Sequence, residues 1–182
     1  YAIYDYPEET KESLSRITDI FLQVIQNQQD KIKPFFKGYS MGFYHLWCPG
    51  RCIWFQEDLS SLISPDHYLQ MLHDLHERIC SRYDYTAVHL HSSSFYLLDF
   101  LLEMERLKII EINKDIGGPS IPEMIPVFEK VQRAGKNLIV WGSIDYDDLD
   151  CLACCIEPRG VYLNIVAPDV SSASKMMEYI ES

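Results

Sequence analysis

The chain has 182 residues, of which 47% are hydrophobic, and a formal net charge of −11 at pH 7. This size and hydrophobic content predict one globular domain over 1–182. Only 16 basic residues face 27 acidic ones, which argues against nucleic acid as a partner because phosphates are bound by clustered Lys and Arg.

The sequence predicts a soluble, cytoplasmic protein that does not bind a membrane. Its N-terminus lacks the basic and apolar order of a signal peptide, and no run approaches the ~18 apolar residues that a membrane helix needs. The six cysteines are too few for a disulfide framework, so we expect reduced thiols.

An amphipathic leading helix is predicted over 7–32, within an N-terminal part that extends to residue 37. The apolar residues at helical spacing are Leu14, Ile17, Phe21, Val24 and Ile25. Pro7 suits the first helical turn, and Pro34 and Gly38 end the pattern. An aromatic, irregular segment follows, up to a turn at Pro49 and Gly50.

From residue 38 to 182, short β-rich runs alternate with amphipathic helical windows. The predicted strands are 52–57, 86–91, 108–113, 137–141 and 161–166. The predicted helices are 65–81, 95–104, 121–134, 147–156 and 172–180. This alternation implies parallel strands with right-handed crossovers, either in an open doubly wound sheet or in part of a (β/α)8 barrel. Because no GxGxxG or GxxxxGK[ST] motif follows a strand, the nucleotide-binding form of the open sheet lacks its usual support.

Polar side chains gather at the carboxyl ends of three neighbouring predicted strands. Glu57 and Asp58 end the first strand, His89 and His91 share one face of the second, and Glu111 lies on the third. Parallel sheets assemble active sites at these ends. Imidazoles and carboxylates bind zinc or another divalent metal and also act as acid/base groups, so we expect His89, His91, Glu57 and Glu111 to be catalytic residues and metal ligands. The alternative is that they only hydrogen-bond one another and water.

Three further sets of residues are candidates for a functional role, and the first two have a structural alternative. Asp145 follows the fourth predicted strand and is a candidate catalytic residue, but Asp at a helix N-terminus also caps exposed amides. Cys151, Cys154 and Cys155 have the spacing of one helix face, which favours packing in the core. Cys48 is a candidate thiol beside the Pro-Gly turn.

Three stretches resemble the C-terminal half of the uroporphyrinogen decarboxylase superfamily, which includes the corrinoid-dependent methyltransferases. They are "GRCIWFQEDLSSLISPDHYLQMLHDLHERI", "VHLHSSSFYLLD" and "LKIIEINKDIGGPSIPEMIPVFEKVQRAGKNLIVWGSID". In this likeness "EDLSSLISPDHY" matches the acidic residue and helix start of the family, "HLHSS" its histidine-containing strand end, and "WGSID" its glycine signature. The likeness covers most of 38–182.

The resemblance implies a parallel (β/α)8 TIM-barrel type of fold, of which this chain supplies about the last five βα units. Five units cannot close an eight-stranded barrel, so its first strand would present an open edge. Either the chain is a fragment of a longer protein, or a partner subunit, such as a second copy in a homo-oligomer, covers that edge.

The resemblance also implies metal-assisted methyl transfer in corrinoid or one-carbon metabolism. The reaction would use zinc or another divalent metal, a small-molecule substrate, and a methyl-corrinoid carried by a partner corrinoid protein. The alternatives are uroporphyrinogen decarboxylase activity in porphyrin biosynthesis and a non-catalytic barrel that binds a small molecule.

This chain departs from the family pattern at residues that matter for both methyl transfer and decarboxylation. Zinc methyltransferases of the family have a His-x-Cys strand end and a Cys on the last strand, whereas this chain has His89-Leu90-His91 and "YLNIVAPD" without a thiol. The decarboxylases end that last strand in a Gly-rich segment with a His, which is also missing. The eight carboxylates of uroporphyrinogen need Arg or paired donors, but these strand ends offer mostly acids and His, so we prefer methyl transfer.

Overall fold

A computed structural model describes residues 1–58 and 60–181. The protein chain divides into two compact units. The first comprises residues 1–55, 60–86 and 96–107, and the second comprises residues 56–58, 87–95 and 108–181.

The strands of the described residues belong to two sheets. They are β1 (Tyr39–Met41), β2 (Leu46–Cys48), β3 (Cys52–Gln56), β4 (Tyr85–Leu90), β5 (Ile109–Lys114), β6 (Asn137–Gly142) and β7 (Val161–Ile165). An all-parallel, five-stranded sheet has the order β3-β4-β5-β6-β7, and β1 pairs with β2 in a separate antiparallel hairpin. Helices flank the parallel sheet, so the predicted α/β class is confirmed.

The helices alternate with the strands of the large sheet, as predicted. They are α1 (Ala2–Asp5), α2 (Pro7–Gln29), α3 (Pro65–Tyr68), α4 (Asp74–Cys80), α5 (Leu98–Glu103), α6 (Ile121–Arg133), α7 (Tyr146–Cys155) and α8 (Val170–Glu181). A π-helical turn, Leu69–His73, joins α3 to α4, and a 3₁₀ segment, Ser92–Leu97, precedes α5. Each predicted strand of the large sheet agrees with the structure to within one residue at both ends.

The inner strands of the large sheet are buried on both faces, which is typical of a parallel sheet covered by helices. Val88 on β4, Ile110 on β5 and Val140 on β6 are fully buried. Beside them α6 buries Met124 and Phe128 completely. In contrast, every residue of β7 is only partly buried, as expected for a strand at one end of the sheet order.

The β1–β2 hairpin is the main element that the sequence prediction missed, since this segment was expected to be irregular. Tyr39 pairs with Cys48, and the Trp47 indole N–H donates to the Phe35 carbonyl at 2.8 Å. His45, between the strands, has a left-handed φ of 56°. Three-residue strands are too short to show the alternation by which strands are recognised.

Helix α2 buries a face that only partly overlaps the predicted one, since three of the five predicted apolar residues are half-buried and two are exposed. Ile17 and Val24 are exposed at 61% and 47%, whereas Thr18, Leu22 and Gln29 are buried. Gln29 Nε2 donates to the Cys52 carbonyl at 2.6 Å, which offsets part of the cost of burying this polar side chain and which a count of apolar residues cannot anticipate.

No helix in residues 1–58 and 60–181 combines the length and the apolarity that crossing a lipid bilayer requires.

Candidate metal centre

Acidic and imidazole side chains converge at the carboxyl ends of β3, β4 and β5. Asp58 lies two residues beyond β3, His91 directly follows β4, and Asp115 directly follows β5. Because the strands are parallel neighbours, these positions meet at one edge of the sheet.

His89 and Glu111 form the buried base of the cluster. They are directly paired in the parallel register of β4 and β5, so their side chains leave the same face of the sheet. His89 Nδ1 contacts Glu111 Oε2, and the two residues are only 6% and 0% exposed. The proximity of these two residues therefore follows directly from strand register.

His91 has its own carboxylate partner, Asp115. His91 Nδ1 lies 2.5 Å from Asp115 Oδ1. The same Oδ1 accepts a hydrogen bond from Asn113 Nδ2 at 2.6 Å, while Oδ2 accepts from the Ser92 backbone N–H at 3.0 Å and the Ser92 hydroxyl at 2.8 Å. Each imidazole of the cluster is thus bound through Nδ1 to a different carboxylate.

A tight turn after β5 fixes the backbone of Asp115. The Gly118 N–H donates to the Asp115 carbonyl at 3.1 Å, and Gly117 has a φ of +77°, which favours glycine. A Cβ at Gly118 would lie 3.0 Å from Asp115 Cβ and 3.1 Å from Ser92 Oγ. The turn therefore packs directly against the Asp115 side chain at Cβ and against the Ser92 hydroxyl that donates to it.

The free ends of the two imidazoles face one another and Asp58. The Nε2 atoms of His89 and His91 are 3.1 Å apart, and Asp58 Oδ1 lies 3.6 and 3.7 Å from them. Two donors bound at ~2.1 Å to one tetrahedral zinc ion lie ~3.4 Å apart, so the three separations fit a shared ion. Among residues 1–58 and 60–181, this is the one group of three or more His, Cys, Asp or Glu whose donor atoms all lie within 4.8 Å.

The electrostatics of the cluster favour positive charge. Burial is the largest influence on the pKa of His89 and lowers it, but the contact with Glu111 and the charges of Glu111, Asp58 and Asp115 together raise that pKa above its ordinary value. Burial also tends to raise the pKa of Asp115, yet its bonds from His91, Asn113 and Ser92 prevail and lower it to about 2. Asp115 is therefore a carboxylate at neutral pH.

Of the four predicted metal ligands, the structure brings the two histidines together with Asp58, and the two glutamates lie outside this group. His89 and His91 lie in the three-residue group, in which Asp58 supplies the carboxylate. Its neighbour Glu57 is outside that group, with a buried side chain and a backbone N–H that donates to the His89 carbonyl at 3.2 Å. Glu111 contacts the Nδ1 side of His89, away from the meeting point of the Nε2 atoms.

Asp145 lies at the N-terminus of α7 and caps this helix. Its Oδ1 accepts from the Asp148 backbone N–H at 2.9 Å, and Asp148 Oδ2 in turn accepts from the Asp145 N–H at 3.2 Å. This reciprocal pair corresponds to the capping alternative considered for Asp145.

Asp58, Asp115 and Ser92 are members of the cluster that sequence reasoning did not select, although Asp58 was noted beside Glu57 at the end of the first predicted strand. A signal for Asp115 was present, because it directly follows a predicted strand end and opens an Ile-Gly-Gly-Pro turn. Ser92 offered little signal, since it is one of three consecutive serines and contributes its backbone N–H as well as its hydroxyl.

The cysteines are distributed differently from the prediction. Cys154 and Cys155 are exposed and Cys151 is half-buried, so the prediction of core packing was wrong. The stripe that α7 buries instead includes Leu149 and Leu152. Cys48 is buried, and a hydrogen bond with the Cys52 thiol lowers its pKa.

Comparisons with known proteins identify no relative. A scan against protein-family models, a search of curated proteins and a search of solved structures each gave no match to this chain.

Proposed function

We propose that this protein is a metal-dependent enzyme of the uroporphyrinogen decarboxylase superfamily type that transfers a methyl group in corrinoid or one-carbon metabolism. The observation that carries the proposal is the convergence of His89 Nε2, His91 Nε2 and Asp58 Oδ1, with separations of 3.1, 3.6 and 3.7 Å. Two imidazole nitrogens and one carboxylate oxygen are an established donor set for zinc and other divalent transition metals.

The strand order supports a barrel-type fold for the proposed enzyme. The five parallel strands follow one another in chain order, whereas a doubly wound sheet reverses its order at a switch point. Further βα units would extend this sheet at β3 and β7, the two ends of the order. We infer that the chain corresponds to about the last five units of a (β/α)8 barrel, completed either by further chain or by a partner subunit.

The residues of the cluster divide into ligands and supports. Asp58, His89 and His91 would hold the metal through one atom each, while Glu111 and Asp115 contact the opposite nitrogen of each ring. A zinc ion held there would supply Lewis acidity that lowers the pKa of a small thiol, whose proton would pass to solvent. The thiolate would attack the methyl carbon of the methyl-corrinoid, the Co–C bond would break, and the corrinoid would leave as its Co(I) form with the electron pair. Three protein ligands leave a position for that thiol, as in other catalytic zinc sites.

The proposed ligands differ from those of the family at the position where this chain departs from the family pattern. Methyltransferases of the family hold zinc partly through cysteine thiolates, whereas here the position of the family cysteine is His91. An imidazole and a carboxylate still suit zinc but favour soft, thiophilic ions less than thiolates do. In the proposed reaction the methyl donor is a corrinoid on a partner protein, in the cytoplasm, where the cysteines stay reduced.

Decarboxylation of a porphyrinogen is the second function that the resemblance suggests. Three carboxylates, Asp58, Glu111 and Asp115, surround the two imidazoles. A substrate with eight carboxylates would be repelled by this arrangement unless cationic side chains offset it. The charge of the cluster therefore favours the metal-dependent reaction.

Metal analysis of the purified protein tests the proposal. We expect about one zinc ion per chain after zinc loading and dialysis, and loss of that ion in His91→Ala. His73→Ala is the matched control, because His73 lies outside the cluster on the helical segment between α3 and α4. Circular dichroism would verify that both variants fold.

A second assay addresses the reaction. The zinc-loaded protein should accelerate demethylation of methylcobalamin by 2-mercaptoethanol, and His91→Ala should remove the acceleration. Zinc binding without any demethylation of methylcobalamin would contradict methyl transfer, and absence of zinc binding would contradict the metal site itself.

A further inference from the structure

The orientation of His91 determines whether it can bind a metal through Nε2. A neutral imidazole carries its proton on one nitrogen only, so Nε2 is a ligand when the proton is on Nδ1. The His91 ring is 33% exposed, compared with 7% for His89. Packing therefore restricts the orientation of the His91 ring less than that of the His89 ring. The hydrogen bond to Asp115 is correspondingly more important for orienting His91.

Asp115 is fully engaged as a hydrogen-bond acceptor. Oδ1 contacts His91 Nδ1 and Asn113 Nδ2 at 2.5 and 2.6 Å, and Oδ2 accepts two bonds from Ser92 at 2.8 and 3.0 Å. A carboxylate has about four acceptor directions, and these contacts use all of them. Asp115 is thus fixed in place, and it would have to break these bonds to become a metal ligand.

The surrounding backbone supports the same arrangement. Asp115 is the first residue of the turn in which the Gly118 N–H donates to the Asp115 carbonyl. The 3₁₀ segment begins at Ser92, directly after His91. Donors from Ser92 therefore hold Asp115 next to the residue that it orients.

We propose that Asp115 is a positioning residue that keeps the His91 proton on Nδ1 and thereby directs Nε2 toward the metal position. This inference rests on the proposed metal-dependent function. Outer-shell carboxylates of this kind fix the tautomer of a ligating histidine, and their loss typically lowers metal affinity by ~10–100-fold.

Asp115→Asn is the most informative variant because it preserves the size of the side chain. If the amide NH₂ faces Ser92, it meets the backbone N–H as a second donor and loses that hydrogen bond, while the Ser92 hydroxyl must rotate to act as an acceptor. If the NH₂ instead faces His91, it requires an acceptor at Nδ1, which moves the imidazole proton to Nε2 and blocks the ligand atom. Asp169→Asn is the control, since it makes the same chemical change at an exposed residue that caps α8.

Two measurements test the inference. Long-range ¹H–¹⁵N spectra of the metal-free protein report the His91 tautomer. Titration with Co²⁺, followed by its visible absorption, reports affinity. We expect the Nδ1–H form in wild type and Asp169→Asn, and a shift toward Nε2–H with ~10–100-fold weaker Co²⁺ binding in Asp115→Asn.

The outcomes separate this inference from the proposed function. An unchanged His91 tautomer together with wild-type Co²⁺ affinity in Asp115→Asn would overturn the positioning role. Failure of the wild-type protein to bind Co²⁺ would overturn the metal-dependent function. In that case the tautomer spectra would still decide whether Asp115 orients His91.

Discussion

The Nε2 atoms of His89 and His91 face each other at 3.1 Å, while the Nδ1 atom of each ring contacts a carboxylate. If both rings carry their proton at Nδ1, two lone pairs and the nearby Asp58 oxygen point to one position. Such a convergence is unfavourable unless a cation or a shared proton lies between the acceptors. This relationship is the physical basis for regarding the cluster as a cation site.

The first prediction distinguishes the neighbours Asp58 and Glu57. Asp58→Asn removes the charge of a proposed ligand, so zinc affinity should fall at least as much as the ~10–100-fold typical of losing an outer-shell partner. Glu57→Gln makes the same change one residue earlier and should retain zinc, because Glu57 lies outside the group of converging donors. Competition with a chromophoric chelator measures both affinities. Loss of zinc in Glu57→Gln, with wild-type affinity in Asp58→Asn, would assign the carboxylate ligand to Glu57.

The second prediction concerns the turn that packs against Asp115. A Cβ at Gly118 would lie 3.0 Å from Asp115 Cβ, so Gly118→Ala should displace the carboxylate and weaken zinc binding several-fold. Gly42→Ala is the matched control, since a Cβ there meets no atom within 4 Å. Competition with the chromophoric chelator measures the zinc affinity of both variants. Equal zinc affinities in the two variants would show that the turn does not transmit strain to the cluster.

Strand periodicity predicted the part of the site that depends on the sheet. His89 and Glu111 were expected at neighbouring strand ends, and the parallel register pairs them directly. Asp58 and Asp115 lie beyond the last residues of β3 and β5, where turn geometry rather than alternation decides where a side chain points. The prediction therefore found the histidines but could not choose the carboxylate that faces both of them.

The fold prediction misjudged which residues of two helices are buried. On α2, the hydrogen bond from Gln29 to Cys52 helps to bury a face that includes Thr18, while Ile17 remains exposed. On α7, Cys154 and Cys155 were assigned to the core as small hydrophobes, but Leu149 and Leu152 form the buried stripe. Apolar spacing identified both helices correctly, but it assigned to the buried face some residues that are exposed, Ile17 on α2 and Cys154 and Cys155 on α7.

The third prediction tests the orientation of α2. Leu22 is only 9% exposed, so Leu22→Ala should lower the free energy of unfolding by about 2 kcal/mol or more. Ile17 is 61% exposed, and Ile17→Ala should change this free energy by no more than ~0.5 kcal/mol. Urea denaturation followed by circular dichroism provides the comparison. A larger loss for Ile17→Ala would favour the helix face predicted from the sequence.

The fourth prediction concerns thiol reactivity. Cys154 and Cys155 are exposed, whereas Cys48, Cys52 and Cys80 are buried. A colorimetric disulfide reagent should therefore modify Cys154 and Cys155 rapidly in the native protein and the buried thiols only after unfolding. Mass spectrometry of the modified peptides identifies the sites. Rapid native labelling of Cys48 or Cys52 would contradict their burial.

The central claim is that Asp58, His89 and His91 bind one divalent metal ion without help from cysteine. X-ray absorption at the zinc edge of the zinc-loaded protein, without added thiol, tests it most directly. The account predicts a first shell of nitrogen and oxygen at ~2.0–2.1 Å with outer scattering from imidazole, and no sulfur at ~2.3 Å. A sulfur shell, or a protein that retains no zinc, would contradict it.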